Sequence, residues 1–144
     1  MMLGAAILIA GALLLPATAG AADDDPIAKA REECTSKEAQ SEMNICSGAL
    51  AKKVGDELQR AQEKLMGRVD GKNKANVRDA HRAWMTYRDR HCDFEASGVE
   101  GGSAHPLIHN LCVLDLNDAR LKQLTYHLTC EEGDLSCPYP AAKK

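Results

Sequence analysis

The chain has 144 residues, carries a formal net charge of −3 and contains one Trp, one Phe and three Tyr. A chain of this length forms one domain around a single small core. Its acidic balance argues against a nucleic-acid-binding protein, for which a basic domain is expected. Because the core has so few aromatic residues, the six cysteines are the clearest candidates for additional stabilisation.

Residues 1–21 have the composition of an export signal. They contain no charged side chain, and an apolar run from Leu3 to Leu15 is too short to span a bilayer. The helix-breaking Pro16 and an Ala-Gly-Ala pattern ending at Ala21 follow, as in a signal peptide cleaved after Ala21. We therefore expect a periplasmic or secreted protein, with no integral membrane segment in the mature chain.

The mature chain is expected to begin with a short acidic N-terminal arm, residues 22–33, and then to be dominated by helix. Three series of residues, spaced by three or four positions, each predict one face of a helix. They are Met43, Cys46, Leu50, Val54, Leu58, Ala61 and Leu65; Val77, Ala80, Trp84, Tyr87 and His91; and Leu114, Asn117, Leu121, Leu124 and Leu128. The first of these helices is predicted to run from Ser41 to Arg68, and the Asp70-Gly71 pair to turn the chain.

A loop is predicted at Ser97–Ser103, because its three glycines permit backbone conformations closed to other residues. Pro106 marks the start of a further short helix, at a position that proline favours. The tail, residues 138–144, is expected to be ordered little past Cys137. The predicted fold class is therefore all-α: a small antiparallel helical bundle of three to four helices, stapled by disulfides.

Six cysteines allow fifteen pairings, and the sequence alone does not choose among them. Their spacing favours consecutive pairing, because each pair would then close an irregular segment, with a stabilisation of about 3 kcal/mol per bond in the chain-entropy model. The pairs are Cys34 with Cys46, Cys92 with Cys112, and Cys130 with Cys137. A zinc site is the alternative, but the spacing of these cysteines is unlike that of structural zinc sites.

Combinations of residues with catalytic or metal-binding chemistry are weak in this sequence. His105, His109 and Cys112 have the helical spacing of metal ligands, but Cys112 is expected in a disulfide. His91 and Cys92, a base and a thiol, would point about 100° apart on a helix. The acids of the C-terminal half show no pattern that would pair two carboxylates for glycoside hydrolysis. We therefore predict no enzyme, no catalytic residue, no cofactor and no metal.

Several segments, in order and spacing, resemble the LprI-like lysozyme-inhibitor family of small exported bacterial proteins. They are His81-Arg82-Ala83-Trp84-Met85-Thr86-Tyr87-Arg88-Asp89-Arg90-His91-Cys92, Gly101-Gly102-Ser103, Cys112 and Ala119-Arg120-Leu121-Lys122-Gln123-Leu124, together with Met43-Asn44-Ile45-Cys46 and Asp56-Glu57-Leu58 upstream. The chain departs from the family pattern at Gln59, Gln62 and His81, where the family usually has Asn, Tyr and Gln. The resemblance implies one disulfide-stapled helical domain, residues 34–137, and a protein partner, lysozyme, bound without chemistry.

Partner binding is predicted at an acidic, glycine-rich loop, because a disulfide between Cys92 and Cys112 would preorganise it. The residues assigned to this surface are Glu95, Glu100, Gly101, Gly102 and Ser103. Lysozymes of the animal type are cationic, so an acidic partner would gain association rate from electrostatic steering. The alternative is a non-enzymatic interaction module of the cell envelope with an unrelated protein partner.

A structural role is predicted for Trp84, Tyr87, Arg88 and Asp89. Trp84 and Tyr87 share the predicted buried stripe of the second helix. Arg88 and Asp89 are expected to form charge-assisted hydrogen bonds that position the loop after Cys92.

Overall fold

The structure, a computed structural model, describes residues 25–131 and 133–137. Its helices are α1 (Pro26–Thr35), α2 (Gln40–Arg68), α3 (Gly71–Ala96) and α4 (His105–Thr129), with a short 3₁₀ helix (Ser97–Val99) between α3 and α4. Within these described ranges the chain forms no strand, so the predicted all-α class is confirmed. The predicted signal peptide and the tail, residues 138–144, lie outside the described residues.

Helix α1 precedes the first predicted helix, which starts at Ser41, and it includes residues 26–33 of the segment assigned to the N-terminal arm. The carboxylate of Asp25 caps the helix, because its Oδ1 accepts hydrogen bonds from the N–H groups of Ile27 (2.9 Å) and Ala28 (3.4 Å). Pro26 fits the first turn, where a backbone N–H has no partner within the helix. Residues 26–33 are therefore helical, and residues 22–24 lie outside the described residues.

The three long helices run up, down and up. Helices α2 and α4 are parallel neighbours: Asn110 Nδ2 donates to Asn44 O (3.2 Å) near their starts, and Arg68 Nη1 donates to Leu128 O (2.5 Å) near their ends. Helix α3 is antiparallel to both and packs mainly on α4, with few contacts to α2. Consecutive long helices are thus antiparallel, as the predicted bundle requires.

The core lies where α2 packs along α4. One apolar cluster includes Leu58 and Leu124, with Trp84 of α3 packed against it. A second cluster includes Val54 and Leu114, and α1 contributes to it. Leu58, Leu124, Val54 and Leu114 are at most 2 % exposed. The first and third predicted apolar series therefore supply most of the core.

The second predicted series is only partly buried. Val77 and Trp84 pack against the core, but Tyr87 is 53 % exposed, so its predicted place in the buried stripe is wrong. The physical reason is that α3 contacts mainly α4 and therefore buries a narrow stripe. Cys92 and Ala96, both fully buried, define that stripe towards the end of the helix.

Consecutive pairing of the six cysteines is confirmed. The disulfides join Cys34 to Cys46, Cys92 to Cys112 and Cys130 to Cys137. The first ties α1 to α2, the second ties α3 to α4, and the third closes the segment after α4 on itself.

Helix α4 starts at His105 and continues without a break to Thr129. Pro106 therefore lies in the first turn of the third long helix instead of starting a separate short helix. Among the described helices, none is both long and apolar enough to cross a membrane.

Candidate functional site

The loop between α3 and α4 lies at the end of the bundle where α2 begins. After its 3₁₀ turn, the N–H of Gly102 donates to Val99 O (3.0 Å). Gly101 has a φ of +75°, in the left-handed region that favours glycine. A Cβ atom at Gly102 would lie 3.1 Å from Val99 O, which is tighter than an ordinary contact. The predicted loop is thus confirmed, and its shape depends on these two glycines.

Two separate attachments hold this loop on the helices. The Cys92–Cys112 disulfide joins the helices at the base of the loop, and Cys92 is fully buried. On the other side, Asn44 Nδ2 of α2 donates to Ser103 O (2.9 Å). The loop is therefore fixed to all three long helices, because Cys92, Cys112 and Asn44 belong to α3, α4 and α2.

Asn44 and Asn110 contribute to this site, although the sequence does not single them out. Gln40 Nε2 donates to Asn44 Oδ1 (2.9 Å), and Asn110 Nδ2 donates to Asn44 O and to the buried Ser47 Oγ (both 3.2 Å). These bonds join residues up to 66 positions apart, so helical spacing carries no signal for them. A weak signal existed, because the segment around Asn44 belongs to the resemblance described above.

The five residues predicted to bind a partner are all exposed. Glu95 lies in the last turn of α3, where its carboxylate oxygen is 3.6 Å from His91 Nε2. Glu100 follows the 3₁₀ turn, and Gly101, Gly102 and Ser103 continue directly from it. The structure thus places the glutamates and the glycine segment at one end of the bundle. Their role in partner binding stays a prediction.

Arg88 joins α3 to α4. Its Nη1 donates to Asn117 Oδ1 (3.0 Å), and its Nη2 and Nε donate to Asp89 Oδ1 (2.6 and 2.9 Å). The Asn117 amide also donates to Ala51 O (3.3 Å), so one buried side chain links the three long helices. The local bonds expected between Arg88 and Asp89 are present. Their expected effect on the loop after Cys92 stays a prediction.

Trp84 lies in a cluster of cationic and aromatic groups between α3 and α4. The guanidinium carbons of Arg88 and Arg120 lie 5.5 and 6.0 Å from its ring centroid, and the ring of His81 is stacked 6.0 Å away. Burial, and then the charges of Arg120 and Arg88, lower the pKa of His81. His81 is therefore predominantly neutral at neutral pH, because a third positive charge here is unfavourable.

The histidine set considered for metal binding is incomplete in this fold. His105 and His109 stack with ring centroids 6.2 Å apart, but the sulfur of Cys112 is bonded to Cys92. His109 Nε2 instead lies 3.5 Å from a carboxylate oxygen of Asp93. The acids and histidines at this end of the bundle therefore form pairs of potentially opposite charge.

These features define a small, disulfide-bonded helical protein with an exposed glycine loop at one end, held by a disulfide and a hydrogen bond. The sequence matches the family "Lysozyme inhibitor LprI" over residues 30–124. The chain belongs to this family, which confirms the resemblance seen in its motifs.

A curated relative is an uncharacterized protein of Rhizobium meliloti (strain 1021). It is 27 % identical over 125 residues, which cover 78 % of this chain and 87 % of the relative. No solved structure matches the chain.

Proposed function

We propose that this protein binds lysozyme non-covalently and inhibits it, with the acidic, glycine-rich loop as the contact surface. Membership of the lysozyme-inhibitor family supports the activity. The observation that carries the choice of surface is the double attachment of the loop, by the Cys92–Cys112 disulfide and by the Asn44 bond to Ser103. A loop held in this way loses little conformational entropy when it binds.

The distribution of charge supports a cationic partner. Glu95 and Glu100 are exposed beside the glycine segment, and the whole chain has a net charge of −3. Opposite charges on the two proteins raise the rate of encounter. Because the catalytic groups of lysozyme are themselves carboxylates, the uncharged backbone of Gly101–Ser103 is the part suited to the sugar-binding cleft. The two glutamates would then face the cationic rim of that cleft.

The inhibitor would act in the periplasm or outside the cell. The signal peptide predicted at residues 1–21 would deliver it there, and three disulfides are stable in an oxidising compartment.

A turbidity assay with oxidised protein tests this proposal. Wild-type protein, titrated into lysozyme acting on bacterial cell walls, should inhibit at micromolar concentration. The Glu95→Gln/Glu100→Gln variant should require about tenfold more protein, because charges at the rim of an interface govern encounter and typically contribute less than 1 kcal/mol each. Ser103→Pro, which alters the backbone at the end of the glycine segment, should inhibit still less.

Glu131→Gln is the matched control for net charge. Glu131 is exposed and follows α4, so it lies about 36 Å from the start of that helix at 1.5 Å per residue. Its loss should leave inhibition nearly unchanged. Absence of inhibition by wild-type protein at micromolar concentration would refute the function. An equal loss of inhibition for Glu131→Gln and for Glu95→Gln/Glu100→Gln would refute the loop as the contact.

A further inference from the structure

The outer face of α3 carries exposed aromatic rings next to the glycine loop. Phe94, the single Phe of the chain, is 74 % exposed, and Tyr87 is 53 % exposed. The ring of His91 lies between them in sequence and stacks on Tyr87, with centroids 5.3 Å apart and an interplanar angle of 23°. A chain with five Trp, Tyr and Phe residues in total thus leaves two of them exposed on one helix.

These three rings lie on one face of α3. At about 100° and 1.5 Å per residue, Tyr87, His91 and Phe94 fall within an arc of about 60° and extend over about 10 Å. The fully buried Cys92 lies about 160° around the helix from Phe94. The aromatic strip, defined as Tyr87, His91 and Phe94, therefore faces away from the core that α3 shares with α4.

The composition of this face is that of a protein-binding surface. Exposed Arg90 borders the strip on the side away from His91, within about 60° of both Tyr87 and Phe94. Tyr, Phe and Arg are enriched at the centres of protein interfaces. Stacked rings also lose little side-chain entropy on binding, since an aromatic side chain has two rotatable bonds.

Charge identifies the kind of partner. Glu95 follows Phe94 directly and its carboxylate lies 3.6 Å from His91 Nε2, so one edge of the strip is acidic. Beyond the end of α3, Glu100 adds a second exposed acid in the loop. An apolar strip with Glu95 on one edge and Arg90 on the other fits a partner that offers an apolar depression with Lys or Arg on the side that faces Glu95.

We propose that the aromatic strip of α3 is the apolar half of the docking surface for the cationic enzyme, and that the glycine loop is its polar half. This inference rests on the proposed function and adds to it the residues that carry most of the binding energy. Phe94 is the central anchor, because it is the most exposed ring and lies beside both the loop and Glu95.

The test compares binding of lysozyme by wild-type protein, Phe94→Ala, Tyr87→Ala/Phe94→Ala and Leu135→Ala, using calorimetry at several NaCl concentrations. Leu135 is a matched control, because it is a fully exposed apolar side chain in the disulfide-closed segment after α4. Affinity should fall at least tenfold for Phe94→Ala and further for the double variant, with an unchanged dependence on NaCl. Leu135→Ala should bind as wild-type protein does, and all variants should keep the wild-type unfolding midpoint.

The outcomes separate the two proposals. If wild-type protein binds lysozyme and the strip variants bind equally well, the strip is not the docking face and the proposed function stands. If wild-type protein does not bind lysozyme, both proposals fail. If the strip variants lose affinity while Glu95→Gln/Glu100→Gln mainly reduces the dependence on NaCl, the surface has the apolar and acidic halves described here, since salt screens charge contacts but not apolar ones.

Discussion

At the scale of single residues, His81 makes the packing of α3 sensitive to pH. Its pKa is lowered by burial and by the charges of Arg120 and Arg88. The unfolded chain therefore takes up a proton at His81 at a higher pH than the folded protein does. The resulting stabilisation of the fold is present above the ordinary histidine pKa of about 6.5 and is lost as the pH falls through the lower, folded-state value.

We predict that His81→Gln flattens the decline in stability between pH 7.5 and pH 5. Glutamine keeps a polar side chain without the titration, and it is the residue usual in the family pattern at this position. Urea unfolding of wild-type protein and His81→Gln at several pH values measures the difference between their unfolding free energies. As the pH falls, the unfolding free energy of wild-type protein should decrease more than that of the variant. His105→Gln, at the start of α4, controls for the removal of a histidine elsewhere. Parallel curves of unfolding free energy against pH for wild-type protein and His81→Gln would disprove the prediction.

At the scale of helices, α2 depends on glycine where other side chains approach it. A Cβ atom at Gly55 would lie 3.2 Å from Asn117 Nδ2, whereas one at Gly67 would meet nothing within 4 Å. Asn117 is 1 % exposed and is held by bonds to Arg88 and Ala51. It therefore has little freedom to move away from an added methyl group.

These two glycines make a matched pair of Gly→Ala substitutions. Gly67→Ala should stabilise the protein by about 0.5 kcal/mol, because alanine favours the helix and the site is open. Gly55→Ala offers the same gain in helix propensity but crowds Asn117, so we expect a net destabilisation of about 1 kcal/mol. Chemical unfolding measures both, and equal stabilisation by the two substitutions would show that Asn117 is free to shift.

The helices and disulfides of this fold were predictable from sequence because their signals are local. The apolar series ending at Leu65 repeats every helical turn, and the irregular segments lie between neighbouring cysteines. The hydrogen bond from Asn44 to Ser103 and the exposure of Tyr87 were not predictable from local signals. Both depend on which neighbours α3 and α2 acquire in three dimensions. Tyr87 continues an apolar spacing, but among the described residues no helix packs on that side of α3 to bury it.

At the scale of the whole molecule, the disulfides stabilise two ends of the bundle in different ways. The Cys92–Cys112 bond closes a loop with a sequence separation of 20 and also fixes the candidate site. The Cys130–Cys137 bond closes a loop with a sequence separation of 7, beyond the far end of α4. In the chain-entropy model these loops correspond to about 3 and about 2 kcal/mol. Their removal should therefore have similar effects on folding and different effects on binding.

We predict that Cys92→Ala/Cys112→Ala loses about 3 kcal/mol of unfolding free energy. The folded fraction of this variant should bind lysozyme at least tenfold more weakly, because the freed loop must be ordered on binding. Cys130→Ala/Cys137→Ala should lose about 2 kcal/mol and keep its affinity. Urea unfolding and calorimetric titration of the same samples, with circular dichroism to verify the folded fraction, give both quantities. Equal affinities for the two folded variants would mean that the Asn44 bond alone positions the loop, and that the disulfide contributes to the stability of the bundle without preparing its binding surface.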